Sequence, residues 1–268
     1  MKYIDSHAHY LGKRFNNDRH RLLPDMHKNG VEYIINSTGT TEMNEALRMA
    51  KKYDFVYLTI GDNCSVTPPE GDEYISDEIL EGMIKFCKDY KKVVAWGEIG
   101  IGLDKPHHTQ GSNLEYQIYW FKKQLEAAKQ VKLPVVIHSR DACQLVFDIL
   151  KDAAMPNYGS GCGMLHCYNS SPEMALQYVE MGYLISITGI VTYSSAWHLV
   201  ETVRKVPLDK LLIETDCPYL TPEPNRGKRN DSSNLKYVVE KMAEIKGVSV
   251  QEAAEATSRN AKAFFGLK

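Results

Sequence analysis

The sequence has few cysteines and pairs none of them in a CxxC motif. Its six cysteines are scattered over 268 residues and do not form the dense framework of a small secreted domain. This usage is typical of reduced and mostly buried thiols in an intracellular protein. We therefore expect a cytoplasmic protein, with the nucleus as the alternative compartment.

Long apolar runs are also missing. No segment approaches the roughly 20 apolar residues that a membrane-spanning helix needs. Asp5, Ser6 and His7 interrupt the N-terminal segment where a signal peptide would carry its apolar core. We expect neither a membrane span nor a secretory leader. The sequence also shows no linker, repeat or low-complexity segment, so residues 1–268 are expected to form one domain.

The chain has no large excess of charge of either sign. Its formal net charge is −2, and 43% of its residues are hydrophobic, enough for one large core. A surface of this kind does not attract a polyanion as a whole. Any binding of nucleic acid must therefore depend on a local basic patch or on bound cations.

Eight short apolar runs rich in β-forming residues are spread along the chain, and amphipathic stretches of helical period separate most of them. The runs cover residues 3–4, 33–35, 56–60, 93–96, 135–137, 164–165, 184–187 and 211–213. Because each parallel strand needs a crossover helix, this alternation predicts a (β/α)8 TIM-type barrel. A doubly wound sheet is the competing architecture. Two further helical patterns, at about 235–246 and 250–264, would cover the outside of the barrel.

A His-X-His pair, His7 and His9, follows the first predicted strand. Alternate side chains of an extended segment project from the same side, so the two imidazoles can chelate one ion. Alone, such a pair is more often a chance occurrence than a site. Other metal-ligand residues follow four more strands, however, and the carboxyl ends of barrel strands meet at one mouth. The sequence therefore predicts a metal site there, built from His7, His9, Glu98, His138, His166 and Asp216.

Six segments resemble the motifs of the TatD-like DNase family, which belongs to the amidohydrolase-like metal-dependent hydrolases. They are DSHAH at 5–9, GEIG at 97–100, PVVIHSRDA at 134–142, HCY at 166–168, ETDCPYL at 214–220 and RGKRN at 226–230. The resemblance covers essentially the whole chain. It implies a TIM-type barrel, a divalent-metal centre and hydrolysis of DNA phosphodiester bonds. By matching positions, one metal would be held by His7, His9, Glu98 and Asp216, and the other by Glu98, His138 and His166.

The proposed ligands also suggest individual roles. Glu98 is the acid best placed to bridge two cations, and the donor set suits Mg²⁺, Mn²⁺ or Zn²⁺, all of which remain open. Asp216 is expected to orient a water molecule and to take its proton as general base. Asp5 and Glu214 precede His7 and Asp216 by two residues, and we expect them to hydrogen-bond the ligands. The alternative is that both are ordinary buried carboxylates.

Substrate contacts are predicted from position and charge. The basic segment with Arg226, Lys228 and Arg229 follows the eighth strand, and Arg140 lies just beyond His138, so these side chains are expected to contact phosphates. Relative to the family pattern, an extra Ile101-Gly102 is predicted to alter the loop that follows Glu98. His107 and His108 are expected in a polar loop further along.

The sequence thus predicts a divalent-metal-dependent deoxyribonuclease, an enzyme that acts on ester bonds, with DNA as substrate and a monomeric state. One alternative keeps the fold but hydrolyses a small phosphate ester, an amide or an aminoacyl ester, since loops readily change what a barrel mouth accepts. The other is a non-catalytic scaffold that keeps a metal for stability. Structural metal sites tend to be closed and rich in thiolates, so the histidine and carboxylate set favours the enzyme.

Overall fold

Eight parallel strands form one sheet in the order of the sequence. The structure is a computed structural model, and it describes residues 1–63, 77–104 and 112–268. Strands β1 to β8 are neighbours in sequence order, which confirms the (β/α)8 TIM-type barrel and excludes the doubly wound sheet. The strands are Tyr3–Ala8 (β1), Val31–Asn36 (β2), Val56–Ile60 (β3), Val93–Gly102 (β4), Val135–Arg140 (β5), Gly163–Leu165 (β6), Tyr183–Ile187 (β7) and Leu211–Ile213 (β8).

Helices alternate with the strands and surround the barrel. The predicted helical patterns at 235–246 and 250–264 correspond to the last two helices, and the second of these ends one residue later than predicted. The final helix packs against β1 and β8. The helices are Arg19–Lys28 (α1), Met43–Lys52 (α2), Asp77–Asp89 (α3), Ser112–Val131 (α4), Cys143–Ala153 (α5), Pro172–Glu180 (α6), Trp197–Lys205 (α7), Leu235–Lys246 (α8) and Val250–Phe265 (α9).

The barrel closes between β1 and the segment that follows β8. The amide of His9 donates a hydrogen bond of 2.9 Å to the carbonyl of Cys217, and the amide of Asp216 donates one of 3.0 Å to the carbonyl of His7. These backbone contacts join the first and last predicted metal motifs. The barrel closure itself therefore fixes the distance between the His-X-His pair and Asp216.

An apolar cluster lies beneath the mouth of the barrel. It takes side chains from β1, β2 and β4 to β8, and Phe264 and Phe265 at the end of α9 cover it. Val136, Met164 and Leu212 are its members from β5, β6 and β8. Two positions further along the chain lie His138 in β5, and His166 and Glu214 immediately after β6 and β8. Because alternate residues share a strand face, the polar side chains stand directly above this apolar floor.

Strand β4 is longer than predicted. All ten of its residues are buried, and Ile101 and Gly102 pair with Ser139 and Arg140 of β5. The extra dipeptide therefore belongs to the strand rather than to the loop that follows it. Gly100 has φ +150°, and a Cβ at that position would overlap the backbone oxygen of His138. Glycine at this position is thus what lets β4 follow β5 up to the mouth.

The sequence predicts reduced thiols and no membrane-spanning helix. The described cysteines, which exclude Cys64, are all free, and Cys162 and Cys217 are buried. Among the described residues, no helix combines the length and the apolar character needed to cross a bilayer.

Candidate metal centre

Four of the predicted ligands form a group at the end of β1. The Nε2 atoms of His7 and His9 are 3.0 Å apart. Glu98 Oε2 lies 3.2 Å from Nε2 of His7, and Asp216 Oδ1 lies 3.1 Å from Nε2 of His9. Nitrogen and oxygen donors from the end of β1, from β4 and from the segment after β8 therefore point at a common position.

Two further histidines form a second group around the other oxygen of Glu98. Its Oε1 lies 2.8 Å from Nδ1 of His138 and 3.4 Å from Nε2 of His166. The same two ring nitrogens are 3.2 Å apart. Glu98 thus presents one carboxylate oxygen to each group, which is the geometry of a bridging ligand.

The spacing of these atoms suits divalent cations. Ligands about 2.0–2.2 Å from an ion in tetrahedral or octahedral coordination lie about 3.0–3.5 Å from one another. The donor atoms form three overlapping sets of three, and the atoms of each set lie within 4.8 Å of one another: His7, His9 and Glu98; His7, His166 and Asp216; and Glu98, His138 and His166. Imidazole nitrogens and carboxylate oxygens are common ligands of Zn²⁺ and Mn²⁺. The residues present therefore fit the metal that the sequence predicts.

The two carboxyl groups are held in their ionised form. Burial would raise the pKa of Glu98, but the charge of His166 and hydrogen bonds from His138, His166 and His7 keep it well below its usual range. Burial acts in the same direction on Asp216, and the hydrogen bond and charge of His9 outweigh it, so its pKa is also lowered. Both side chains are carboxylates at neutral pH, as metal ligation requires.

Glu214 supports one of the candidate ligands from below. Its buried Oε1 lies 3.1 Å from Nδ1 of His166 and accepts a hydrogen bond of 2.6 Å from the amide of Cys167. Its Oε2 accepts one of 2.5 Å from Ser186 Oγ. Because the carboxylate accepts the Nδ1 proton, Nε2 is the ring nitrogen of His166 that would give up its proton and donate an electron pair to a bound ion.

Asp5 accepts hydrogen bonds from the backbone and hydroxyl groups around the site. Its carboxylate accepts hydrogen bonds from Thr215 N at 2.9 Å, Thr215 Oγ1 at 2.6 Å and Ser232 Oγ at 2.6 Å. Its contact with a candidate ligand is a long one of 3.4 Å, made to the backbone amide of His7. Asp5 therefore fixes the backbone next to Asp216 rather than an imidazole ring.

A cavity of about 830 Å³ opens above these groups, and Glu98, His138, His166 and Asp216 are among its lining residues. Of the predicted substrate contacts, Arg140 lines this cavity and its side chain is 61% exposed. Arg226, Lys228 and Arg229 are not among the lining residues. Arg226 stacks on Tyr193, with its guanidinium carbon 4.3 Å from the ring centroid.

The other two basic side chains of that segment also contact the protein itself. Nζ of Lys228 donates to Asn225 Oδ1 at 3.3 Å. Arg229 forms a two-point ion pair with Asp18 through hydrogen bonds of 2.9 and 2.6 Å. The three side chains therefore lie outside the cavity lining and contact nearby acceptors and a ring, and their contact with phosphates stays a prediction.

Three features of the site were not predicted. Nδ2 of Asn63 donates a hydrogen bond of 2.8 Å to Glu98 Oε1, and Lys13 and Arg14 line the cavity. Asn63 follows β3 by three residues, so the strand-end argument used for the other ligands also applies to it. Lys13 and Arg14 carry no comparable signal in the sequence. His107 and His108 lie outside the residues that the structure describes.

An eight-stranded barrel with four imidazoles and two carboxylates at its mouth is typical of metal-dependent hydrolases. The sequence pattern of the TatD related DNases matches residues 4–266, so the chain belongs to this family.

Individual relatives agree with this assignment. The chain is 36% identical over 265 residues to the uncharacterized metal-dependent hydrolase YabD of Bacillus subtilis, covering 98% of this chain and 99% of that protein. It is 28% identical over 266 residues to human deoxyribonuclease TATDN3, covering 98% and 94%. The crystal structure of YJJV, a TatD homologue from Escherichia coli, superimposes with a TM-score of 0.87 at 28% identity and covers 99% of this chain and 98% of its own.

Proposed function

We propose that the protein is a divalent-metal-dependent deoxyribonuclease with a two-metal centre. The observation that carries this proposal is the position of Glu98, whose two oxygens face separate groups of imidazoles. The family of the chain and the name of its human relative support DNA as the substrate.

His7, His9, Glu98 and Asp216 would hold one ion, and Glu98, His138 and His166 would hold the other. Mg²⁺, Mn²⁺ and Zn²⁺ are the candidates. When bound, such ions polarise a phosphoryl oxygen and lower the pKa of water, which supplies a nucleophile at neutral pH. The apolar floor and the buried supports Asp5 and Glu214 keep the donor atoms in place.

Asp216 is the carboxylate that we assign as general base. Its side chain is 16% exposed, against 6% for Glu98, and it lines the cavity where a phosphodiester would enter. Asp216 is ionised at neutral pH, so its carboxylate can accept a proton from the attacking water. Glu98 has both oxygens in contact with imidazoles, so its role is to hold the two groups together.

Digestion of end-labelled DNA by metal-free protein supplied with each ion in turn tests the proposal. We expect cleavage that needs the ion and stops with EDTA, and no cleavage by the Glu98→Ala variant. Glu180→Ala is the matched control, because Glu180 is exposed at the end of α6. Hydrolysis of small phosphate esters, amides or aminoacyl esters without cleavage of single- or double-stranded DNA would contradict the proposal in favour of the small-substrate alternative.

A further inference from the structure

Two basic residues stand at the rim of the metal-site cavity without a role in the proposed metal centre. Lys13 and Arg14 lie in the 3₁₀ turn Lys13–Phe15, four and five residues beyond His9. The turn is tied to the His-X-His segment, because the amide of Gly12 donates to the carbonyl of His9 at 3.1 Å. Both basic side chains are exposed and both line the cavity.

The charges of Lys13 and Arg14 are available to a ligand. Other basic side chains in this region are near acidic partners: Arg226 lies 3.8 Å from Glu223, and Arg140 lies 4.0 Å from Asp104. Within residues 1–63, 77–104 and 112–268, neither Lys13 nor Arg14 forms an ion pair. Their positive charge is therefore not neutralised by any side chain in the described part of the chain.

Arg229 holds the turn that carries this pair. Its Nη1 donates to the carbonyl oxygen of Arg14 at 2.7 Å, while both terminal nitrogens bind the carboxylate of Asp18. Its guanidinium carbon also lies 4.6 Å from the centroid of the Phe15 ring. Through Arg229, the basic segment after β8 thus binds the loop after β1. This contact fixes Lys13 and Arg14 at the cavity rim before any substrate arrives.

An exposed aromatic ring stands beside the pair. Tyr219 lines the same cavity and is 56% exposed. The guanidinium carbon of Arg14 lies 6.0 Å from the centroid of its ring. A basic groove combined with an exposed aromatic ring is how proteins commonly bind a nucleic acid strand, through its phosphates and through a stacked base.

We propose that Lys13 and Arg14 bind the phosphate that neighbours the scissile one, and that Tyr219 contacts the nucleoside attached to it. This inference rests on the proposed nuclease function. The chain as a whole carries a net charge of −2, so attraction of a polynucleotide requires such a local pair of cations. A substrate with a single phosphate does not reach this subsite, whereas an oligonucleotide does.

A double variant, K13Q/R14Q, tests the subsite on two substrates. One is a single-stranded oligonucleotide, and the other is thymidine 5′-(4-nitrophenyl phosphate), which has one phosphodiester. For the oligonucleotide we expect KM to rise about tenfold and the salt dependence of log(kcat/KM) to become shallower by about 0.7–1.4, as expected for one or two lost phosphate contacts. The fall in kcat/KM on the nitrophenyl ester should be smaller by a factor of about five or more, since its single phosphate lies at the metal ligands.

The matched control removes two charges from the opposite end of the barrel. Lys51 and Lys52 are adjacent and exposed at the C-terminal end of α2, and K51Q/K52Q should keep wild-type values on both substrates. The inference would be overturned if K13Q/R14Q lost kcat/KM equally on the two substrates. It would also be overturned if K51Q/K52Q showed the same loss as K13Q/R14Q.

A binding measurement distinguishes failure of the phosphate subsite from failure of the proposed nuclease function. Fluorescence anisotropy of a labelled oligonucleotide with the Mn²⁺-loaded protein, extrapolated to the time of mixing, reports affinity before the strand is cut. If the wild type binds without cleaving, the nuclease proposal fails, while weaker binding by K13Q/R14Q still supports the phosphate subsite. Equal affinity of the two proteins overturns the subsite, and a wild type that binds no oligonucleotide overturns both.

Discussion

Glu214 and His166 form a buried contact beneath the candidate metal centre. Oε1 of the glutamate lies 3.1 Å from Nδ1 of the imidazole, and the Glu214 side chain is fully buried. The contact orients the ring so that its other nitrogen faces Glu98 at 3.4 Å. A carboxylate behind a ligating histidine fixes the tautomer and makes the ring a better donor.

Glu214→Gln should therefore weaken metal binding without removing a ligand. We expect the affinity for Mn²⁺ to fall about 10- to 100-fold, because the neutral amide supports the imidazole less well than the carboxylate. Calorimetric titration of the metal-free protein measures this affinity. Ser186→Ala is the control, since it removes one hydrogen bond from Glu214 but keeps the carboxylate, and its effect should be smaller. Unchanged affinity in Glu214→Gln would show that the contact does not tune the ligand.

Asp216→Asn should separate catalysis from metal binding. The amide keeps an oxygen for the cation but cannot accept a proton, so we expect kcat to fall by at least about 100-fold while most of the Mn²⁺ affinity remains. The measurement is kcat on an oligonucleotide at saturating Mn²⁺, with Kd for the ion determined on the same sample. A wild-type rate in this variant would reject the role of Asp216 as general base.

Arg229→Lys should impair substrate binding through the loop after β1. Lysine keeps the charge but cannot make the two parallel hydrogen bonds to Asp18 together with the bond to the Arg14 carbonyl. We expect KM for an oligonucleotide to rise several-fold with a smaller change in kcat. Arg21→Lys is a suitable control because Arg21 is exposed on α1. A drop in kcat with KM unchanged would contradict a positioning role for Arg229.

The contact between Asp18 and Arg229 also predicts a dependence of stability on pH. The hydrogen bonds from Arg229 lower the pKa of Asp18 from its usual value of 3.8. Because the pKa is lower in the folded state, the ionised form stabilises folding, and this contribution is complete above about pH 5 and is lost as the pH falls through the folded pKa.

Urea unfolding of the wild type and of Arg229→Gln measures this contribution. The difference in free energy of unfolding between the two proteins should stay constant from pH 8 to about pH 5 and shrink below about pH 4. A difference that grows as the pH falls would mean that Asp18 is not stabilised in its ionised form.

The sequence predicted the fold and the grouping of the candidate ligands because both follow from local patterns. Apolar runs with helical stretches between them require parallel strands, and the carboxyl ends of barrel strands must meet. That rule alone brought together His7, Glu98 and His166, which are far apart in the chain. Applied to β3, it would also have indicated Asn63.

Contacts between distant loops could not be predicted in the same way. Arg229 and Asp18 are 211 residues apart, and no local pattern shows that an acid neutralises this arginine. The segment 226–229 therefore resembles a phosphate-binding loop, although its cations contact the protein. Lys13 and Arg14, in contrast, differ from other basic residues only in the position that their loop takes in the folded chain.

Anomalous scattering from crystals soaked in Mn²⁺ tests directly whether the site holds two ions. We expect two peaks about 3.5–4 Å apart, one beside His7 and His9 and the other beside His138 and His166, with Glu98 between them. A single peak, or no peak at these donor atoms at saturating Mn²⁺, would contradict a two-metal centre.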